Sequence, residues 1–358
     1  MSLTPTFHPL CIADLRRETA DCISLAFDVP AELRDVYRFL PGQYLTLRTV
    51  HDGEELRRTY SICTSPDDGE LRVAIKRVPD GRFSEAVVAG LAVGGQLDVM
   101  TPMGRFGAGA LANGQVYVAL AAGSGITPVI SILRHVLTRE ARSRFILLLG
   151  NRTMADIVFR QQLEDLKDRN LARLSVFHVL SREQQDLPAL NGRLDGNLIR
   201  AVLPNMISPR RIDQVFICGP LGMIETAPST LADLGVPSAR VHIERFTPAE
   251  NARQRKLHMV LPGAAPRAVI NAIQGGRRME FPLHGEDTLI EAATRAGLDL
   301  PYSCKGGMCC TCRAKLVEGE VNMAVNYSLE PWETAAGFVL TCQSRPTSAR
   351  VTVDYDQV

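Results

Sequence analysis

Four cysteines toward the C-terminal end constrain this chain more than any other feature. Cys304, Cys309 and Cys312 stand in Tyr-Ser-Cys-Lys-Gly-Gly-Met-Cys-Cys-Thr-Cys, and Cys342 follows in Leu-Thr-Cys-Gln. C-x4-C-x2-C with a distant fourth cysteine is the plant-type spacing of [2Fe–2S] ligands. Thiolates are soft donors that select iron–sulfur clusters. Such a site needs a tight loop to supply three sulfurs and a strand end to close it. Gly306 and Gly307 let the backbone approach inorganic sulfide and aim N–H groups at it. Two disulfides or a zinc ion would use the same residue type. Disulfides suit small secreted domains, whereas this chain has 358 residues and opens without the charged-then-apolar form of a signal peptide. Zinc sites usually pair two C-x2-C units, and the second unit is missing. The cluster reading implies a carrier of single electrons.

The length allows two or three domains. Hydrophobic residues make up 46% and charged residues 22%, as in soluble globular proteins. A net charge of +1 creates no strong field for nucleic acid or an anionic membrane. No apolar run has the length of a membrane-spanning helix. Nine cysteines in such a chain favour ligation or buried thiols, and a cytoplasmic location is expected.

Three styles of sequence follow one another. Phe7–Asp14, Cys22–Val29, Gln43–Val50, Glu55–Cys63 and Glu70–Lys76 carry strand patterns separated by turn signals such as Pro41-Gly42 and Asp80-Gly81. They predict an antiparallel barrel. From Val116–Ala122 onward, apolar strands (Phe145–Gly150, Leu174–Leu180, Val215–Cys218, Val241–Glu244) alternate with helical stretches at Pro128–Leu137 and Phe159–Asp168. That alternation predicts a parallel α/β sheet. Residues 247–256 are polar and aperiodic, the best linker candidate. Beyond them, Leu257–Leu261, Ala268–Ala272 and Arg278–Pro282 read as strands. Thr288–Ala296 reads as a helix with Leu289, Ala292 and Ala293 inward.

Several short motifs lie at predicted strand ends. In Arg57-Arg58-Thr59-Tyr60-Ser61, Arg58 suits a diphosphate, Tyr60 a flat ring, and Ser61 a hydrogen bond to a reducible flavin nitrogen. Gly81, Ser84 and a helix beginning at residue 84 suit phosphate oxygens. Taken alone, Arg-x-Tyr-Ser is more often an edge strand with a solvated arginine, and Asp80-Gly81 more often just a hairpin turn. Gly123-Ser124-Gly125-Ile126-Thr127-Pro128 joins a strand to a helix, where a pyrophosphate or a plain tight turn would serve. Ser181 and Arg182 follow a further strand and suit a 2′-phosphate. Cys218-Gly219-Pro220 reads by itself as a buried cysteine before a turn.

In their order, these motifs and the cysteines resemble the ferredoxin–NADP reductase superfamily with a plant-type ferredoxin fused at the C-terminal side. The resemblance covers nearly the whole chain. Tyr37–Gln43, Gly53–Arg58, Gly150–Thr153 and Asn326–Pro331 are most similar to the reductases of bacterial phenylacetyl-CoA epoxidases.

The resemblance implies a flavin-binding β-barrel at 1–112, an NADP-binding α/β domain at 113–246, a linker at 247–256, and a β-grasp ferredoxin domain at 257–358. It implies FAD, NADPH and a [2Fe–2S] cluster as cofactors. Arg58, Tyr60, Ser61, Lys76, Val78, Gly81 and Ser84 would hold FAD. Gly125, Thr127, Ser181, Arg182 and Cys218 would hold the dinucleotide, and Phe246 would pack near the flavin. Ser61, Cys218 and Glu244 would stand at the reacting centre. The cluster ligands would be Cys304, Cys309, Cys312 and Cys342, with Cys310 as a bystander.

No Glu-x-x-His occurs, so the di-iron motif of helical bundles is absent and oxygen activation would lie on a separate oxygenase. A di-iron phenylacetyl-CoA epoxidase is the expected partner. A Rieske-type oxygenase is the alternative, and a non-enzymatic iron–sulfur carrier the alternative of another class. The linker would let the ferredoxin domain move between flavin and partner.

Overall fold

The computed structural model describes residues 5–107, 109–246 and 265–357. The expected linker at 247–256 and the expected strand Leu257–Leu261 lie outside these residues. The chain divides into two compact units: Pro9–Leu45 with Tyr60–Phe246, and Met1–His8 with Thr46–Thr59 and Thr247–Val358.

Strands β1 (Phe7–Thr19), β2 (Cys22–Asp28), β3 (Tyr44–His51), β4 (Glu54–Ser61), β5 (Leu71–Lys76) and β6 (Gln96–Met100) form one sheet. β2 pairs antiparallel with β1 and with β5. β1 runs on to Thr19 instead of ending at Asp14, because irregularities after Ile12 and after Arg17 re-aim its charged residues without ending the ladder. Arg72 is buried inside this sheet, where Glu70 accepts from its Nε at 2.9 Å and Ser24 Oγ from its Nη1 at 2.8 Å, with Asp14 as a further partner. A buried cation is tolerated because its donors are filled.

The second sheet is parallel. It contains β7 (Val116–Ala122), β8 (Arg144–Asn151), β9 (Leu174–Leu180), β10 (Gln214–Cys218) and β11 (Val241–Glu244), in the order β11-β10-β7-β8-β9. Helices α1 (Ile126–Arg139), α2 (Arg160–Arg169), α3 (Gly196–Met206) and α4 (Leu221–Asp233) connect its strands. The period of two divides its core. Tyr117, Ala119 and Ala121 pack with Ile126, Val129 and Leu133 of α1, while Val118 and Leu120 pack with Ile199 of α3 and Ile224 of α4. Both faces are covered, which is why these strands read as unbroken apolar runs.

In the C-terminal residues, β12 (Ala268–Gln274), β13 (Arg277–Leu283), α5 (Leu289–Arg295), β14 (Arg313–Glu318), β15 (Val321–Met323), α6 (Pro331–Ala335), β16 (Phe338–Leu340), β17 (Ser344–Pro346) and β18 (Arg350–Asp354) follow in turn. The main sheet has the order β13-β12-β18-β14-β16, with β12 and β18 parallel and its other pairs antiparallel. This mixed sheet with one packed helix is the β-grasp arrangement. A reciprocal capping box starts α5: Glu291 N–H donates to Thr288 Oγ1 at 3.3 Å, and Thr288 N–H donates to Glu291 Oε2 at 2.8 Å. Leu289, Ala292 and Ala293 face the core as the sequence predicts. Among the described residues, no helix is long and apolar enough to cross a membrane.

Candidate functional site

The loop 304–312 holds its backbone in a shape few sequences adopt. Lys305 and Cys310 have φ of +48° and +53° without being glycine, and Gly307 has φ of +76°. A Cβ on Gly307 would lie 3.0 Å from Val325 O, so the residue must also be small. The bent loop turns amides inward: Gly306 N–H and Met308 N–H donate to Cys304 Sγ at 3.3 and 3.5 Å. A hydrogen bond from Cys309 and these amides hold the Cys304 thiol down to about 6, against the opposing effect of burial. Cys342 follows β16 and is buried, as is Cys312. A hydrogen bond from Cys312 lowers Cys342 in the same way, again against burial.

The four thiols therefore stand as two pairs, Cys304 with Cys309 and Cys312 with Cys342. No three metal-binding side chains among the described residues converge on one ion. Two pairs suit two irons better than one zinc, so the donor set fits a [2Fe–2S] cluster. Cys310 Sγ instead donates to Ser328 O at 3.3 Å. All nine cysteines are free thiols.

A second group forms where β4, β10 and β11 end. Ser61 Oγ donates to Glu244 Oε2 at 3.4 Å. Cys218 lies opposite Glu244 in the β10–β11 register and opposite Ala121 on its other side. Burial pushes the Glu244 carboxyl up to about 8, with Ser61 pulling weakly the other way. Burial, and then the Glu244 charge, raise the Cys218 thiol well above its ordinary range. Ser61, Cys218 and Glu244, far apart in sequence, thus meet in one place.

The other flavin-motif residues are arranged as follows. Tyr60 and Phe83 have ring centroids 5.7 Å apart at 45°. Arg58 Nη1 donates to the carbonyl of Arg57 at 2.8 Å. Lys76 Nζ pairs with Asp21 at 3.4 Å, and Val78 is exposed. Residues Arg82–Val87 form a single π-helical stretch, so Ser84 sits inside a helix and not at its start. The sequence reading is corrected there: Asp80 N–H and Arg77 both engage Glu85, which draws the turn in two residues earlier. Val78 N–H donates to Ser84 Oγ at 3.0 Å. A Cβ on Gly81 would lie 2.7 Å from the Val78 carbonyl oxygen, so the turn leaves little room for a side chain.

The strand order of the parallel sheet reverses between β7 and β10. Gly123–Thr127 and Cys218–Gly219 leave the sheet on either side of that point, the usual crevice for a dinucleotide. Gly125 packs so closely on the second turn that its Cβ would lie 2.0 Å from Cys218 O. Thr127 Oγ1 donates to Ser124 O at 3.0 Å. Ser181 and Arg182 are exposed beyond the end of β9, their amides donating to Asn151 O and Arg152 O at 3.0 and 2.8 Å. The sequence reading did not single out Asn151 and Arg152, whose carbonyls hold this turn. Asn151 Nδ2 is buried without a hydrogen-bond partner, and the Arg152 carbonyl accepts from the Arg182 amide. Their signal was the position of Gly150-Asn151-Arg152 at the end of a parallel strand.

Three family models match the chain: an oxidoreductase FAD-binding domain over residues 10–107, an oxidoreductase NAD-binding domain over 119–228, and a 2Fe-2S iron–sulfur cluster binding domain over 273–347. The chain is 44% identical over 353 residues to one of the subunits of the 1,2-phenylacetyl-CoA epoxidase of Escherichia coli K12, covering 98% of each. It is 33% identical to the ferredoxin reductase component of the 3-ketosteroid-9-alpha-monooxygenase of Rhodococcus rhodochrous, over 97% of this chain and 96% of the relative. Among solved structures, phthalate dioxygenase reductase shares the fold with a TM-score of 0.59 at 23% identity, over 97% of this chain and 98% of that one.

Proposed function

The chain belongs to the ferredoxin–NADP reductase superfamily, in the group that carries a C-terminal [2Fe–2S] ferredoxin domain, and on that premise we propose that it is the reductase of a phenylacetyl-CoA epoxidase. Electrons pass from NADPH through FAD and the [2Fe–2S] cluster to the oxygenase component. The observation that carries the reading is the joining of Ser61, Cys218 and Glu244 at the reversal point of the parallel sheet. A non-enzymatic carrier would need no such site, and the FAD- and NAD-binding domains leave that alternative without support.

FAD, when bound, accepts two electrons together and releases them singly, which a one-electron cluster requires. The chain's own residues bind and orient. Arg58 neutralises the diphosphate, Tyr60 stacks on the ring, and Lys76, Val78, Gly81 and Ser84 line the tail. Gly125 and Thr127 receive the dinucleotide, with Ser181 and Arg182 on its 2′-phosphate. Cys218, small and uncharged, flanks the nicotinamide, and Phe246 packs near the flavin. Burial raises the Glu244 carboxyl to about 8, and Ser61 Oγ donates to it, so a titratable group stands at the reacting centre. Cys304, Cys309, Cys312 and Cys342 ligate the cluster.

The corresponding domains are 1–112, 113–246 and 257–358, with 247–256 as linker. Cysteines that form no disulfide with one another and the need for NADPH support a cytoplasmic site.

The test mixes purified protein with NADPH, then adds the oxygenase component and phenylacetyl-CoA. Epoxide formation is expected. Reduction of a Rieske oxygenase instead, with none of the epoxidase, would favour the reading suggested by the 3-ketosteroid monooxygenase relative.

A further inference from the structure

Strand β4 has two faces. Pleating turns Arg58 and Tyr60 to one side and Arg57 and Thr59 to the other. The second side is engaged, within one compact unit, by residues 299–305, which run into Cys304. Arg57 is the centre of this contact, its side chain only 4% exposed. Its Nε donates to Glu55 Oε1 at 2.8 Å, and its Nη2 donates to Asp299 Oδ1 at 2.5 Å. Arg48 Nη1 donates to the other Asp299 oxygen at 2.9 Å, so two guanidiniums grip one carboxylate. The Arg57 guanidinium also lies 4.1 Å from the centre of the Tyr302 ring, whose hydroxyl donates to Glu55 at 3.2 Å. Further along, Thr59 Oγ1 and Ser303 Oγ are 2.6 Å apart, with Ser303 buried. A lone exposed ion pair would mean little. A buried arginine with two carboxylates and an aromatic ring is a built contact.

We propose that this face of β4 is an intramolecular docking site for the cluster loop, with Arg57 and Thr59 as positioning residues for electron passage from flavin to cluster. It rests on the assignment of Tyr60 to the flavin and of Cys304 to the cluster. Thr59 is one peptide from Tyr60, and Ser303 one peptide from Cys304. A single 2.6 Å contact therefore joins the neighbours of the two motifs. Electron tunnelling falls steeply with separation, so a contact that fixes the loop fixes the rate. Each NADPH oxidised to NADP⁺ releases two electrons and one proton. The cluster takes one electron at a time, so the contact serves twice per NADPH and two one-electron acceptors are reduced. The Arg-Arg-Thr-Tyr run thus addresses both cofactors, its alternate residues facing alternate sites.

Arg57→Met and the milder Thr59→Val, made in the full cofactor-loaded protein, test this by two readouts. In rapid mixing with NADPH, flavin bleaching is expected at the parent rate. Cluster bleaching is expected to slow about tenfold in Arg57→Met, the weight of one lost charge-assisted hydrogen bond in a docking equilibrium. Without NADPH, amide exchange of residues 299–305 is expected to speed up in both variants. Unchanged exchange at 299–305, or flavin and cluster phases slowed equally, would overturn the docking site. If NADPH left the flavin of the parent protein oxidised, the functional reading would fall instead, and exchange would still judge the contact.

Discussion

Glu244 keeps a carboxyl beside Cys218 and the Ser61 hydroxyl, where burial raises it from 4.5 to about 8. An acid raised in the folded state contributes stability that is fully present below its unfolded value and lost as pH rises through the folded one. Replacing it with Gln removes that loss. Glu244→Gln and the parent should therefore melt alike near pH 4, and the variant should gain relative to the parent as pH rises toward about 8. Calorimetry across that range checks it; a parallel pair of curves would remove the raised carboxyl from the argument. Arg182 makes the opposite kind of prediction, one of binding. Its head lies exposed beyond β9, and losing one charge-assisted phosphate contact costs about 1.5–3 kcal/mol. Arg182→Ala should raise KM for NADPH roughly ten- to hundredfold and leave KM for NADH near its starting value. At the other end of the chain, Cys342→Ser should abolish the visible absorption and bound iron of the cluster while NADPH still bleaches the flavin.

Among the elements, the turn between β7 and α1 is the most tightly specified. Ala at Gly125 would place a methyl 2.0 Å from the Cys218 carbonyl, and relieving such overlap typically costs about 1–3 kcal/mol. Gly125→Ala should lower the melting temperature and weaken NADPH binding at least tenfold, measured by titration of the flavin spectrum. Strand Val116–Ala122 was legible to the residue, because burial on both faces leaves an unbroken apolar run, and the edge strands Leu174–Leu180 and Val241–Glu244 were legible from their remaining apolar residues. Helices α3 and α4 were not, since each contains a proline, Pro204 and Pro228, that reads as a stop signal. Strand β6, five residues long, and the short strands β15 to β17 gave too little pattern to recognise. Within the site, motif residues at strand ends could be named from sequence. The π-helical stretch around Ser84 could not, because it depends on Glu85 reaching back to Asp80 and Arg77. Nor could the role of Arg57, whose partner Asp299 lies far along the chain.

For the whole molecule, the division into two compact units sets separate expectations for the cofactors. Removing iron with a chelator and reductant should lower the melting transition of the unit that holds the cysteines, and leave NADPH oxidation with ferricyanide in place; electron delivery to cytochrome c should fall. Two transitions in calorimetry that shift independently would support this, whereas a single transition moving as one would contradict it. The thiols of Cys312 and Cys342 belong to the same packed interior as Leu289, Ile290 and Val351. The proposed ligands are therefore core residues as well. Metal binding of this kind is coupled to folding, so filling the cysteine site and closing the interior of the β-grasp domain would stabilise each other. A substitution in that interior, remote from any sulfur, would therefore loosen the cluster as surely as one at a cysteine.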